Sequence, residues 1–273
     1  MDPANKAITK ALVVLSGGQD STTCLFWAKK YFDEVHAVTF DYDQRHYREI
    51  QAAIDVAKIA GVASHEIVKL GPILKGSSPL TNPDENLELY EDHDSMEKII
   101  GTRVELTFVP MRNALFLSLA ANRAACLGIN KLVTGVCQAD NANYPDCRQT
   151  FVDAQARAIQ EALGTGWGSF TILAPLMDLT KDRSVELAVT LGAYPALAFT
   201  HTSYDGQYPP VGKDHATTLR AHGFLIAGMP DPLVVRAWDE RLMELPTTSN
   251  YDTGDLGVLI EQINALRGYG VGE

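Results

Sequence analysis

The sequence predicts an α/β fold: a parallel sheet with helices on both faces, plus a small helical C-terminal part. Three observations predict it. Short apolar, β-branched runs alternate with segments of helical spacing through most of the chain. The first strand-to-helix junction carries a glycine pair. The tail beyond Asp231 shows two weak helical patterns and no strand pattern. Parallel strands need crossover connections, which lay helices on the sheet faces.

Ala11–Leu15 is an apolar run ending in Ser-Gly-Gly, and Ser21–Tyr31 has helical spacing. Val35–Phe40 reads as the second strand. Arg45–Ala60 is helical, with Ile50, Ala53, Ile54, Ala57 and Ala60 on one stripe, and Gly61 stops it. His65–Leu70 resembles a third strand. Gly71 to Thr107 breaks the alternation with Pro79, Pro83 and an acidic stretch, Asp84–Asp94, as expected of an insertion or lid. Arg112–Leu127, Gln149–Leu163 and Lys181–Leu191 are helical, separated by strands at Lys131–Gly135 and Thr171–Ala174. Residues 192–213 are irregular, and a helix is expected over Asp214–Ala227. Leu233–Met243 and Leu256–Leu266 are the two tail patterns. The organisation expected is an α/β domain over 1–192, with 71–107 inserted, and a helical region over 193–273.

The chain has 273 residues, 46% hydrophobic and 21% charged, which suits a globular enzyme and excludes a disordered chain. Its apolar runs fall well short of the ~20 residues of a membrane span, and Met1–Lys10 lacks the apolar core of a signal peptide. A cytoplasmic protein with no membrane partner is expected. The net charge of −11 disfavours nucleic acid, whose binders present a basic face. None of Cys24, Cys126, Cys137 and Cys147 forms a C-x-x-C pair, so reduced thiols are expected.

The strongest local signal is Ser16-Gly17-Gly18-Gln19-Asp20-Ser21, where a strand ends and a helix begins. Two glycines let backbone N–H groups converge on an anion, and the helix aims its positive end at the same point. Ser16 and Ser21 add hydroxyls, and Asp20 makes sense if Mg²⁺ lies between it and a phosphate. No lysine follows the glycines, so this is not the P-loop, and the spacing is not that of the dinucleotide fingerprint. The alternative is an ordinary glycine turn.

Ser-Gly-Gly-x-Asp-Ser resembles the PP-loop of ATP pyrophosphatases, in which the loop holds the departing pyrophosphate and a substrate oxygen attacks the α-phosphorus. Further motifs narrow the resemblance: Val35 to His46 with Asp43-Gln44-Arg45-His46, Thr107 to Asn113 with Met111-Arg112-Asn113, Thr134 to Asp140, Tyr144-Pro145-Asp146-Cys147-Arg148, Pro175-Leu176-Met177, and Leu219 to Phe224. Together, from about Ala11 to Gly228, they resemble the 7-cyano-7-deazaguanine synthase family. The resemblance implies a Rossmann-like, adenine-nucleotide α-hydrolase-like fold and a pathway to queuosine. It also implies ATP, Mg²⁺, 7-carboxy-7-deazaguanine and ammonia as ligands, and a homodimer.

Adenylation turns a carboxylate oxygen into a leaving group and needs positive charge around the triphosphate. Arg45, Arg112 and Lys181 are the candidates, with Asp20 as the Mg²⁺ residue. Ammonia then gives an amide, and a second adenylation lets AMP leave as the nitrile forms. A guanine-like base presents an N–H beside an exocyclic NH₂, which one carboxylate accepts together. Asp140 and Asp146 are the candidates for that edge, Arg148 for the substrate carboxylate, and Tyr144 completes the substrate-binding set. Cys147 reads as a small packed residue, since no step needs a nucleophile.

The chain departs from the family in two ways. Ser203, Val211, Asp214 and Thr217 stand where the resemblance implies four zinc cysteines, so no zinc site is expected. His201, Asp214, His215 and His222 could in principle make a substitute site, but their spacing fits no common pattern. A metal-free loop held by packing and hydrogen bonds is the sharper expectation, with the tail supplying stability by packing or dimerisation. Asp43, Met111 and Asn143 replace usual glycines, and Met111 is read as closing space near the site.

These departures keep two other readings open beside the synthase. One is a ligase that adenylates the deazaguanine carboxylate once and passes it to another amine, such as a protein acceptor in a defence system. The other is a non-catalytic nucleotide- or base-binding regulator, against which the intact Ser16–Ser21 loop argues.

Overall fold

The computed structural model describes residues 8–44, 48–76, 78–82, 84–138, 143–164, 166–252 and 256–272. Among them the apolar runs form five parallel strands: β1 (Lys10–Val14), β2 (Glu34–Asp41), β3 (Ser64–Lys69), β4 (Lys131–Val133) and β5 (Thr171–Leu173). Their order is β3-β2-β1-β4-β5. The central strand pairs Leu12 with His36 on one side and with Leu132 on the other. From β1 the chain steps outward through β2 to β3, then crosses back to β4. The order therefore reverses between β1 and β4, where the ends of the two strands leave a crevice.

Alternation along β1 divides the core in two. Leu12 points to the face covered by α4 (Arg112–Cys126) and α5 (Gln149–Leu163), and packs with Val38, Leu117, Ala121, Leu132 and Phe170. Ala11 and Val13 point to the other face, against α1 (Gln19–Tyr31) and α2 (Arg48–Ala60), with Leu25, Ala28, Val35 and Val56. Helices thus cover both faces, as the alternation implies.

The expected excursion over 71–107 contains a short helix, α3 (His93–Ile100), that the acidic composition concealed. Its signal was local: Asp92 accepts from the Ser95 N–H at 2.8 Å, and the Ser95 hydroxyl accepts from the Asp92 N–H at 3.1 Å. Tyr90, Met96 and Ile100 pack on Leu219 of α7 (His215–Ile226), and the Tyr90 N–H donates to the Lys213 carbonyl at 2.8 Å. The segment is folded down on α7.

After α6 (Lys181–Thr190), residues 194–199 form a 3₁₀ turn rather than irregular chain. The tail forms α8 (Pro232–Asp239) and α9 (Leu256–Arg267). Ala198, Phe199, Val235, Leu259, Ile263 and Val271 close a separate core there. The Gly272 N–H reaches Asp55 on α2 at 3.1 Å, so the tail packs within the chain. Among the described residues no helix is long and apolar enough to cross a membrane.

One buried ion pair ties this region together. Arg220 on α7, 3% exposed, clamps Asp231 through two bonds of 2.6 and 2.7 Å, and also reaches Thr200, Thr202 and the Leu197 carbonyl. Asp231 in turn caps α8 by accepting the Leu233 N–H at 2.9 Å. Arg220→Ala leaves a buried carboxylate unpaired, and the expected loss is about 3–5 kcal/mol. Denaturant unfolding checks this; an unchanged midpoint would show that the pair is not a structural clamp.

Candidate functional site

The first strand ends one residue before Leu15, and the chain turns into α1 through Ser16, Gly17 and Gly18. Gly17 has φ +85°, and a Cβ there would lie 2.4 Å from the Glu49 carbonyl oxygen and 2.7 Å from the Ala53 nitrogen. The α2 backbone presses directly on this turn, so only glycine fits. Gly18 caps α1 without any side-chain hydrogen bond to the helix amides, which leaves the first turn able to receive an anion. The Ser16 and Ser21 hydroxyls meet at 3.0 Å, and Ser21 also donates to the Gly18 carbonyl at 3.1 Å. Across the crevice, a Cβ on Gly135 would lie 3.0 Å from the Ser21 nitrogen, so the end of β4 closes tightly against the start of α1. The His201 N–H donates to the Gly17 carbonyl at 2.9 Å and stitches the C-terminal region to the turn.

These parts line a cavity of about 350 Å³ at the sheet's switch point. Two predicted residues meet in it: Lys181, at the start of α6, grips the Asp20 carboxylate at 3.0 and 2.8 Å. The stem of Lys181 lies against Gly223 of α7, where a Cβ would come within 2.3 Å of it. Arg112 enters from the start of α4, surrounded by Tyr42, Tyr144 and Tyr204. Burial works against its charge, but the field of these tyrosines outweighs that and holds the guanidinium above its ordinary value. Arg45 and Asp140 lie outside the described residues.

On the far side, Pro145–Cys147 forms a short 3₁₀ turn. Asp146 is buried there, and the Asn113 backbone N–H donates to its Oδ2 at 3.3 Å, while the Asn113 side chain donates to its carbonyl at 3.2 Å. Burial raises the Asp146 carboxyl above its ordinary value, opposed by the Asn113 N–H and by Arg112. The Tyr144 hydroxyl meets Thr107 at 2.6 Å and donates to the fully buried Glu105 at 3.0 Å. Cys147 stays a thiol, since burial and then the neighbouring Asp146 push it up to about 12. Arg148 is exposed at the start of α5 and is not brought to the cavity wall.

Four cavity or support residues were not singled out from sequence. Tyr42 and Tyr204 flank Arg112, Glu105 holds Tyr144, and Glu49 lines the cavity from the first turn of α2. Burial pushes the Glu49 carboxyl up to about 7, with Arg112 pulling the other way. A glutamate in a helix's first turn reads as an ordinary dipole partner, so nothing in the pattern marked it.

The residues that replace usual glycines keep the glycine backbone. Asp43, Met111 and Asn143 have φ of +59°, +65° and +65°. Met111 is 68% exposed, so its side chain points to solvent and does not close the site as read from sequence. At the expected cysteine positions, Ser203, Asp214 and Thr217 form a hydrogen-bonded knot. Asp214 Oδ2 accepts from the Ser203 and Thr217 hydroxyls at 3.3 and 3.0 Å, and Asp214 Oδ1 accepts from the Thr217 N–H at 3.1 Å. Val211 is exposed. One carboxylate and two hydroxyls do not suit zinc, and the four substitute ligands are dispersed: His201 bonds the Ser203 carbonyl and His222 stacks on His93.

The family model described as queuosine biosynthesis protein QueC matches residues 10–228. The 7-cyano-7-deazaguanine synthase of Gloeobacter violaceus is 51% identical over 227 residues, 82% of this chain and 95% of that protein. The protein of the same name from Laribacter hongkongensis is 46% identical, over 83% of this chain and 94% of that one. A solved 4-thiouridine synthetase–RNA complex with bound ATP is 19% identical with a TM-score of 0.43, covering 94% of this chain and 54% of that one.

Gly17→Ala should lose ATP binding together with stability. A methyl group 2.4 Å from the Glu49 carbonyl forces the loop and α2 apart, at an expected cost of about 1–3 kcal/mol. Nucleotide titration and thermal unfolding of the variant check it, and wild-type affinity would mean that the loop does not contact the nucleotide.

Proposed function

The chain belongs to the QueC family of queuosine biosynthesis proteins, and we propose that it converts 7-carboxy-7-deazaguanine to 7-cyano-7-deazaguanine with ATP and ammonia. The observation that carries this reading is the uncapped, glycine-built turn at the sheet's switch point, with Lys181 and Arg112 on one cavity that ends beside the buried Asp146.

In this reading the turn's amides and the Ser16 and Ser21 hydroxyls take the pyrophosphate end of ATP, and Lys181 leaves Asp20 to neutralise it. Asp20 is the residue to hold Mg²⁺, which when bound would offset phosphate charge. Asp146 accepts the paired N–H groups of the base edge, which fixes the ring. Arg112 then draws the substrate carboxylate towards the α-phosphorus, and its constant charge favours the anionic oxygen as nucleophile. Pyrophosphate leaves, ammonia displaces AMP to give the amide, and a second activation on the amide oxygen ends in the nitrile. AMP and pyrophosphate are thus the coproducts of a carbon–nitrogen ligase. The Asp214 knot takes over, without metal, the job of holding 203–217 against the turn.

The test is mass spectrometry of the protein with ATP, Mg²⁺, 7-carboxy-7-deazaguanine and ammonium. The nitrile, AMP and pyrophosphate are expected; no AMP would overturn the reading, and an amide or adenylate as end product would restrict it to a ligase. Asp20→Ala should lower pyrophosphate release by about 100-fold or more, and full activity would remove the loop assignment. Asp146→Ala should weaken base binding by about 1.5–3 kcal/mol, roughly 10- to 150-fold in Kd. ATP affinity should survive, and calorimetry with each ligand separates the two.

A further inference from the structure

Glu49 is a cavity-lining carboxylate that the chemistry above leaves unused. Its position is unusual in two respects. Its backbone carbonyl abuts Gly17 of the anion-binding turn. It lines the same cavity as Arg112 of α4, Tyr42 beyond β2 and Tyr204 of the loop before α7, and the charge of Arg112 is felt at its carboxylate. Arg112 is followed in sequence by Asn113, which holds Asp146. Glu49 therefore stands between the turn that takes pyrophosphate and the residues that take the base. The acyl carbon of an adenylate is joined to the α-phosphate on one side and to the deazaguanine ring on the other, so it too must lie between them.

Ammonia is mostly protonated near neutrality, and ammonium has no lone pair with which to attack. Resting on the function proposed above, we infer that Glu49 is the catalytic base of the amidation step. Its carboxylate takes one proton from ammonium held beside the acyl-adenylate. The ammonia so formed donates its lone pair to the acyl carbon. A C–N bond forms, the C–O bond to the phosphate breaks, AMP leaves with that electron pair, and the second proton passes to water.

The surroundings fit such a base. Among the described residues no hydrogen bond is spent on the carboxylate, and burial brings it to about 7, where it both accepts and releases a proton near neutrality. The groups that face it there stay fixed in charge. Tyr42 and Tyr204 are held above their ordinary values by burial and remain neutral. The Arg112 guanidinium remains charged, held above its ordinary value.

The test is Glu49→Gln, which keeps size and removes basicity. Substrate-dependent pyrophosphate release is measured without ammonium, and amide plus nitrile formation with it. The variant should retain pyrophosphate release and lose amide formation by about 100-fold or more. Its residual rate should climb with pH as free ammonia rises, whereas the wild-type rate levels off above about 7 as Glu49 becomes fully ionised. Hydroxylamine, unprotonated near neutrality, should restore acyl transfer in the variant as the hydroxamate. Glu49→Asp, which keeps a carboxylate, should keep the wild-type plateau. Unchanged amide formation in Glu49→Gln overturns the proposal. So does an equal loss of pyrophosphate release with no hydroxamate, which would place Glu49 in nucleotide binding or folding. If the wild-type protein itself releases no pyrophosphate with the deazaguanine acid, the parent reading fails first, before any variant is compared, and the proposal falls with it.

Discussion

The contact between the first turn of α2 and the backbone of Gly17 governs the geometry of the whole site. At that point two main chains approach so closely that no Cβ fits between them. The approach sets the path of Ser16–Gly18, and hence the direction in which α1 presents its first amides. It also places Glu49 at the rim of the same cavity, since the carbonyl that abuts Gly17 belongs to that residue. On the opposite side Gly135 lets the end of β4 approach the Ser21 nitrogen in the same manner. Two glycines, one just after β1 and one just after β4, thus make a narrow crevice, and the reversal of strand order between β1 and β4 is what opens it.

Charge is handled locally in a chain whose net charge is −11. The cavity pairs Lys181 with Asp20 and is also lined by Arg112 and Glu49. Asp20 and Lys181 satisfy each other at 2.8 Å, so neither is a lone charge before an anion arrives. Arg112 keeps its charge because three tyrosines supply a polar wall around it. The net acidic charge and the cations of the cavity are compatible, because the field inside a partly buried crevice is set by its nearest groups.

Asp43, Met111 and Asn143 keep the left-handed backbone that glycine adopts without strain, and Met111 faces solvent, so the site retains its room. At Ser203, Asp214 and Thr217 a carboxylate collects hydroxyl and amide donors. Asp214 also caps α7, so the same interaction that closes the knot orients the helix carrying Arg220. The reading of Met111 as a space-filler failed because side-chain size says nothing about the direction set by φ.

The alternation of apolar runs and helical segments determined the parallel sheet, the placing of helices on both faces and most element positions to within a few residues. The Ser16–Ser21 loop was legible because glycines at a strand-to-helix junction have few other uses. Lys181, Arg112, Tyr144 and Asp146 were named through motifs alone, and the structure brings Lys181 to Asp20 and puts Arg112 and Tyr144 on one cavity. Helix α3 was concealed because capping by Asp92 and Ser95 is a local signal within a stretch that reads as solvated charge. Only the tertiary structure decided the places of Glu49 and Glu105, the pairing of Arg220 with Asp231, and the exposure of Arg148. The physical reason is that periodicity encodes which face of an element is buried, whereas a carboxylate's chemistry depends on partners brought near by other elements. Glu49 and Arg112 are far apart in the chain, and their place on one cavity is a property of the fold alone.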